Sequence, residues 1–88
     1  MRGIPDRVVA IMCNVAKAHG VSPADILGRR TLAKISKARR EAMYAVRALE
    51  WGAAGAPPSY PQIGRWFGRD HTTIVVACQR CEAERGAA

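Results

Sequence analysis

The strongest constraint on the fold is the stretch from Tyr60 to Cys81, whose residues follow the spacing of a helix-turn-helix motif. Counted from Tyr60, apolar residues occupy the fourth, eighth, fifteenth and eighteenth places, which fill the wedge between the two helices of such a motif. These residues are Ile63, Phe67, Ile74 and Ala77. A small residue, Gly64, is fifth, where the helices touch, and Gly68 is ninth, where the backbone turns with a positive φ. The pattern predicts a helix, a tight turn and a second helix over residues 59–82.

The second helix of the motif has a predicted start and a predicted apolar face. Asp70 can accept hydrogen bonds from the free N–H groups of the first turn, so we assign it as the N-cap. The residues at i, i+3, i+4 and i+7 are apolar: Ile74, Ala77, Cys78 and Cys81. The opposite face carries Thr72, Val76 and Gln79. Short polar side chains at the start of such a helix suit base edges in a major groove, although an ordinary solvated face has the same composition.

Three further helical segments are predicted upstream, and no strand pattern occurs anywhere. The first spans about residues 5–19 and ends at Gly20, with Val8, Met12, Val15 and Ala16 at helical spacing. Ser22 and Asp25 form a capping box for a short second helix that ends at Gly28. Ser36 is the predicted cap of a long third helix with an apolar face of Ala38, Ala42, Val46 and Leu49. The predicted fold is therefore all-α: a small helical bundle with a helix-turn-helix, in one domain spanning residues 1–88.

After this helix, Gly52 to Pro58 forms a spacer of small residues. Ser59 and Gln62 are then spaced as a capping box for the first helix of the motif.

The net positive charge of the chain indicates the class of partner that it binds. The chain has 14 Lys and Arg residues against 7 Asp and Glu residues, a net charge of +7, which favours a polyanion such as nucleic acid or a membrane surface. Six cations and no acid lie between Asp25 and Glu41. We interpret residues 28–37 as a basic loop that contacts DNA phosphates or the minor groove, whereas the simpler interpretation is a solvated basic face.

Other functional classes are disfavoured by what the sequence contains. No apolar run is long enough to cross a bilayer and no signal-peptide pattern follows the start, so we expect a cytoplasmic protein. Cys78 and Cys81 lie on the apolar helix face and are expected to be buried thiols, since Cys13, His19 and His71 are too scattered to complete a zinc site. Without a paired acid and base or an activated nucleophile, we expect no enzyme activity, no metal and no cofactor.

The residues of the motif also resemble a known family. Gly68-Arg-Asp-His-Thr-Thr-Ile74, preceded by Pro61-Gln-Ile-Gly64, is similar to the C-terminal DNA-binding domain of the bacterial replication initiator DnaA. Upstream, residues 15–27 resemble the first helix and second helical turn of that family, and residues 39–44 resemble the start of its long helix. The 88 residues do not contain the ATP-binding pattern G-x-x-x-x-G-K-[ST], so we expect a chain that binds DNA without hydrolysing ATP.

The resemblance implies recognition of the nine-base-pair DnaA box in duplex DNA, by a protein that binds as a monomer at the nucleoid. It assigns base reading to Asp70, His71 and Thr72. Phosphate contacts are assigned to Arg69, Thr73, Arg39, Arg40, Lys37, Ser59, Tyr60 and Pro61. In the minor groove, an ungapped alignment places Thr31 where the family has an arginine, and Arg29, Arg30 and Lys34 are the alternatives if the loop shifts.

Three other functions are kept as alternatives. A protein-interaction module, or a transcriptional regulator that kept the fold without DnaA-box specificity, would use the outer face of the second motif helix, where Val75 and Val76 lie. Binding to a membrane surface fits the positive charge but does not account for the helix-turn-helix spacing.

Overall fold

The part of the chain that the structure describes, residues 3–29, 31–48 and 58–87 of a computed structural model, folds into five helices. They are α1 (Asp6–His19), α2 (Pro23–Leu27), α3 (Ala33–Ala48), α4 (Tyr60–Phe67) and α5 (His71–Ala87). These ranges contain no strand. The all-α prediction is confirmed, and the helix-turn-helix extends from α4 through α5.

Helix α3 is the centre of the bundle, because it packs against each of the other four described helices. Helices α4 and α5 also pack against each other, as the two helices of the motif must. The core side chains predicted from helical spacing are buried in one cluster: Val8, Met12, Ala16, Ala42, Val46, Ile63, Phe67, Ile74 and Ala77. Each large apolar side chain in this cluster stabilises the fold by about 1.5–3 kcal/mol.

Local signals set most of the helix ends. The Ser22 hydroxyl accepts from the Asp25 N–H at 3.1 Å, and the Asp25 carboxylate accepts from the Ser22 N–H at 3.2 Å, so the predicted capping box is formed. Gly20 ends α1 in the left-handed conformation, with φ 69°. At the start of α4 the Ser59 hydroxyl accepts from the Gln62 N–H at 3.3 Å, which is the Ser59 half of the box predicted there.

The start of α3 corrects the sequence prediction. Helix α3 begins at Ala33, and the Ser36 N–H donates to the Leu32 carbonyl at 2.8 Å. Ser36 is therefore inside the helix and is not its cap. The side chain of Ile35 is buried, which packs this turn against the bundle. The non-helical basic loop consequently ends at Leu32, and Lys34 and Lys37 belong to the first turns of α3.

Some predictions fall outside the described residues. They are the minor-groove role of Arg30, the inward face at Leu49 and the spacer over residues 52–57.

Among the described residues, none of the helices combines the length and the hydrophobicity needed to cross a bilayer. No group of three or more His, Cys, Asp or Glu side chains in the same ranges is placed to hold a metal ion.

The prediction of buried thiols is confirmed at Cys78 and Cys81, which are 3% and 1% exposed, whereas Cys13 is exposed. Burial is the main reason that the pKa of Cys78 is raised from 9.0 to about 11. Burial also raises the pKa of Cys81.

The raised pKa of Cys78 predicts a loss of stability at alkaline pH. The unfolded chain loses this thiol proton near pH 9, before the folded chain does, so the free energy of unfolding falls between about pH 9 and pH 11. We expect the stability difference between the wild type and Cys78→Ala to shrink by about 1–2 kcal/mol from pH 8 to pH 10.5. Urea unfolding of both proteins at the two pH values measures this change. A difference that stays constant would show that Cys78 ionises equally in both states.

Candidate nucleic-acid interface

The turn between α4 and α5 is made by two glycines. Gly68 ends α4 with φ 66°, and the Arg69 N–H donates to the Gly64 carbonyl at 2.8 Å. At Gly64 the helices approach so closely that a Cβ atom would lie 2.5 Å from the Arg69 carbonyl oxygen and 3.3 Å from the His71 nitrogen. Both sequence predictions for this turn are confirmed. This close contact positions the first turn of α5 relative to the bundle.

The first turn of α5 lies at the surface. Asp70, immediately before the helix, accepts from the Thr73 N–H through its carbonyl at 3.0 Å. His71, Thr72 and Thr73 are exposed. The Asp70 carboxylate lies 3.1 Å from His71 Nδ1, with the two side chains 72% and 58% exposed. In the neutral imidazole that donates from Nδ1 to Asp70, the Nε2 atom is an acceptor. The three residues predicted to read bases therefore form one accessible polar cluster.

Arg39 is the most deeply buried of the predicted phosphate contacts. It is 7% exposed. Its Nε donates to the Ile26 carbonyl at 2.7 Å, and its Nη2 donates to the Asp25 and Gly28 carbonyls at 2.9 Å each. Burial, and next the charge of Arg69, lowers the pKa of Arg39. The guanidinium holds the end of α2 against α3, because it donates to three carbonyls at and just after the C-terminal end of this short helix.

Arg69 connects the turn of the motif to the basic loop. Its guanidinium donates to the Gly28 carbonyl, 41 residues away in sequence, and to the Phe67 carbonyl at 3.1 Å. A cleft of about 330 Å³ is lined by Arg29, Thr31, Arg39, Gly68 and Arg69. Arg29 and Thr31 are exposed on the loop. The tertiary structure thus brings two predicted minor-groove residues beside the turn that leads into the base-reading helix.

The other predicted cations of this region have different surroundings. Lys37 is exposed on α3. The Lys34 ammonium lies at the C-terminal end of α1, 3.1 Å from where a Cβ of Gly20 would stand, which is a favourable place for a cation. Arg40 is partly buried, and its Nη2 lies 3.9 Å from a Glu84 carboxylate oxygen.

The N-terminus of α4 presents the remaining predicted phosphate contacts. Ser59 and Pro61 are exposed. Tyr60 is half-buried, with the guanidinium carbon of Arg47 4.4 Å from its ring centre. The Arg47 Nη1 also donates to the Pro58 carbonyl at 2.7 Å. These contacts hold the start of α4, with the exposed Ser59 and Pro61, in a fixed position.

A second cleft contains a residue that the sequence analysis missed. The groove between α3 and α5, about 190 Å³, is lined by Ser36, Arg39, Arg40, Met43, Arg69, Thr73, Val76, Ala77 and Arg80. Arg80 is exposed and lies at i+7 from Thr73 and i+4 from Val76. This helical spacing was the available signal, because it places Arg80 on the same side of α5 as Thr73.

Comparison with known proteins gives consistent matches to one family. Residues 8–81 match the family model described as the bacterial dnaA protein helix-turn-helix. A chromosomal replication initiator protein DnaA from Brucella abortus biovar 1 is 39% identical over 82 residues, which are 92% of this chain and 15% of that protein. The corresponding protein of Xanthobacter autotrophicus is 42% identical over 77 residues, 86% of this chain and 14% of its own length. The chain therefore spans about one seventh of these relatives.

Proposed function

Because this chain belongs to the bacterial DnaA helix-turn-helix family, we propose that it binds double-stranded DNA through the first turn of α5. The observation that carries the proposal is the exposed cluster of Asp70, His71 and Thr72 beside a cleft lined by arginines. The cluster offers both donors and acceptors, which can distinguish base edges in the major groove. The arginines offer the charge that attracts the phosphate backbone.

The two parts of this surface have separate tasks. The side chains of Arg29 and Arg69 supply affinity that depends on salt and little on sequence, because they meet phosphates. The exposed N-terminus of α4 adds the partial positive charge of the helix dipole. The α5 cluster supplies selectivity. The hydrogen bond from Arg69 to Gly28 keeps the loop and the turn in one arrangement, so both engage the same duplex.

The relatives are replication initiators by name, so we place this DNA binding in replication initiation or its regulation, at sites like the DnaA box. The chain would act as a monomer at the nucleoid, with the loop and α5 as its two anchors. Its role would be binding without catalysis.

Fluorescence anisotropy with two labelled duplexes tests the proposal, one carrying a DnaA box and one with the same bases scrambled. Tight binding to the box duplex alone, weakening steeply as salt rises, is the expected result. Equal binding to both duplexes would leave DNA binding intact and contradict box specificity. Binding to neither would contradict the proposal.

Replacing His71 with alanine is expected to weaken binding to the preferred site by about 1–3 kcal/mol and to relax selection at one base pair. The reason is that the imidazole is exposed in the first turn of α5 and would lose its contact with a base edge. Anisotropy with duplexes changed at single base pairs measures both effects. Gln79→Ala, an exposed change two turns further along α5, is the control and should leave base preference unchanged. Equal weakening on every sequence would contradict base reading by His71.

One observation favours the protein-interaction alternative. Val76 is 48% exposed and Leu32 is 62% exposed, and both are large apolar side chains. They would become the leading candidates for a protein contact if neither duplex bound.

A further inference from the structure

We infer that the groove between α3 and α5 is an additional site for a DNA backbone phosphate. Arg80 contacts the phosphate, and the Glu84 carboxylate competes with the phosphate for the neighbouring Arg40. This inference rests on the proposed DNA binding and extends the contact surface beyond the helix-turn-helix. It assigns roles to two residues of the second half of α5, which sequence spacing alone had left unused.

The groove continues directly from the base-reading surface. Thr73 lies at one end of it, and Arg80 lies two turns further along α5, which is about 10 Å. A strand that passes Thr73 at the edge of the major groove therefore meets Arg80 at a phosphate further along the same strand. Val76, which is 48% exposed, supplies apolar lining that a deoxyribose can contact between the two phosphates.

The charge of the groove fits a polyanion. Four arginines contribute to its lining: Arg39, Arg40, Arg69 and Arg80. Arg39 and Arg69 donate to backbone carbonyls, which are uncharged acceptors. Arg80 is exposed, and no ion pair to it occurs within residues 3–29, 31–48 and 58–87. Its guanidinium can therefore bind a phosphate without first breaking a salt bridge.

Glu84 reduces the positive charge near the groove between α3 and α5. Its carboxylate lies 3.9 Å from Arg40 Nη2, and the two side chains are 48% and 24% exposed. A long, solvent-exposed pair of this kind is weak. A phosphate can displace it, but Glu84 opposes the phosphate while it stays near Arg40. Removal of its charge should therefore strengthen binding.

The next residue along α5 provides a matched control. The Arg85 guanidinium lies 3.4 Å from a Glu41 carboxylate oxygen and 4.9 Å from the ring centre of Tyr44. Arg85 does not line the groove. Arg80→Gln and Arg85→Gln each remove one positive charge from the same helix, so the change in net charge is the same in both variants. Arg80 lines the groove and Arg85 does not, so weaker DNA binding by Arg80→Gln than by Arg85→Gln reports the groove contact.

The experiment measures anisotropy of the 88-residue chain on the duplex it binds best, at several salt concentrations. We expect Arg80→Gln to weaken binding about three- to tenfold and to reduce the salt slope by about one, equally on box and scrambled duplexes. Arg85→Gln should do neither. Glu84→Gln should tighten binding about two- to threefold, while Glu82→Gln, at an exposed position on the same helix, should have a smaller effect.

The outcomes separate this inference from the proposed function. A wild-type chain that binds no duplex removes both. Wild-type binding with the same salt slope in Arg80→Gln and Arg85→Gln overturns the groove site and leaves the helix-turn-helix function standing. Thermal unfolding by circular dichroism confirms that the exposed substitutions leave the fold intact.

Discussion

Gly64→Ala is expected to reduce the free energy of unfolding by about 2–4 kcal/mol and to abolish selective DNA binding. The added Cβ would lie 2.5 Å from the Arg69 carbonyl oxygen, which is backbone and cannot turn aside as a side chain would. The cost of separating α4 from α5 is therefore unavoidable. The separation also displaces the first turn of α5, where the base-reading cluster lies. Urea unfolding followed by circular dichroism measures the loss of stability.

Gly86→Ala is the control for this substitution. Gly86 also lies in a helix, but a Cβ at this position has no atom within 4 Å. Alanine there should be neutral or stabilise the protein by up to about 1 kcal/mol, because it has the higher helix propensity. A Gly64→Ala protein as stable as the wild type would show that the two helices can move apart without cost.

Arg39→Met has the second large expected effect, a loss of about 3–5 kcal/mol in the free energy of unfolding. The variant keeps an apolar side chain but removes the donors to the Ile26, Asp25 and Gly28 carbonyls. Arg39→Lys should recover only part of the loss, because a single ammonium cannot reproduce the planar fork of a guanidinium. Arg40→Met is the neighbouring control and should cost about 1 kcal/mol or less, since its ion pair is long and partly exposed.

The same substitution tests whether Arg39 has a structural role or contacts a phosphate. A phosphate contact predicts normal stability with a flatter salt dependence of DNA binding, whereas a structural role predicts the reverse. Binding measured below the unfolding transition separates the two. A stable Arg39→Met protein with a salt slope reduced by about one would restore the phosphate role.

The helix-turn-helix could be predicted in detail because its determinants are local. Ile63, Phe67, Ile74 and Ala77 are buried as the spacing requires, and Gly68 adopts the positive φ. Helical periodicity places such residues on one face, and a turn with this backbone conformation favours glycine. The capping box of Ser22 is equally local, since its two hydrogen bonds join residues three apart.

The start of α3 was predicted four residues too late. Ser36 has the chemistry of an N-cap, but burial of Ile35 stabilises the preceding turn as helix. Tertiary packing overrode a local preference worth about 1 kcal/mol. This shortens the basic loop and places Lys37 on a helix.

Sequence by itself determined the helical class, the position of the motif and the polar residues at the start of α5, because periodicity and turn chemistry act over a few residues. Only the tertiary structure decided how the arginines are used. Arg39 bonds to carbonyls 11 to 14 residues away, and Arg69 bonds to one that is 41 residues away. A guanidinium has the same charge in the sequence whether it is buried or exposed. Its role is set by which backbone carbonyls the packed helices leave within its reach.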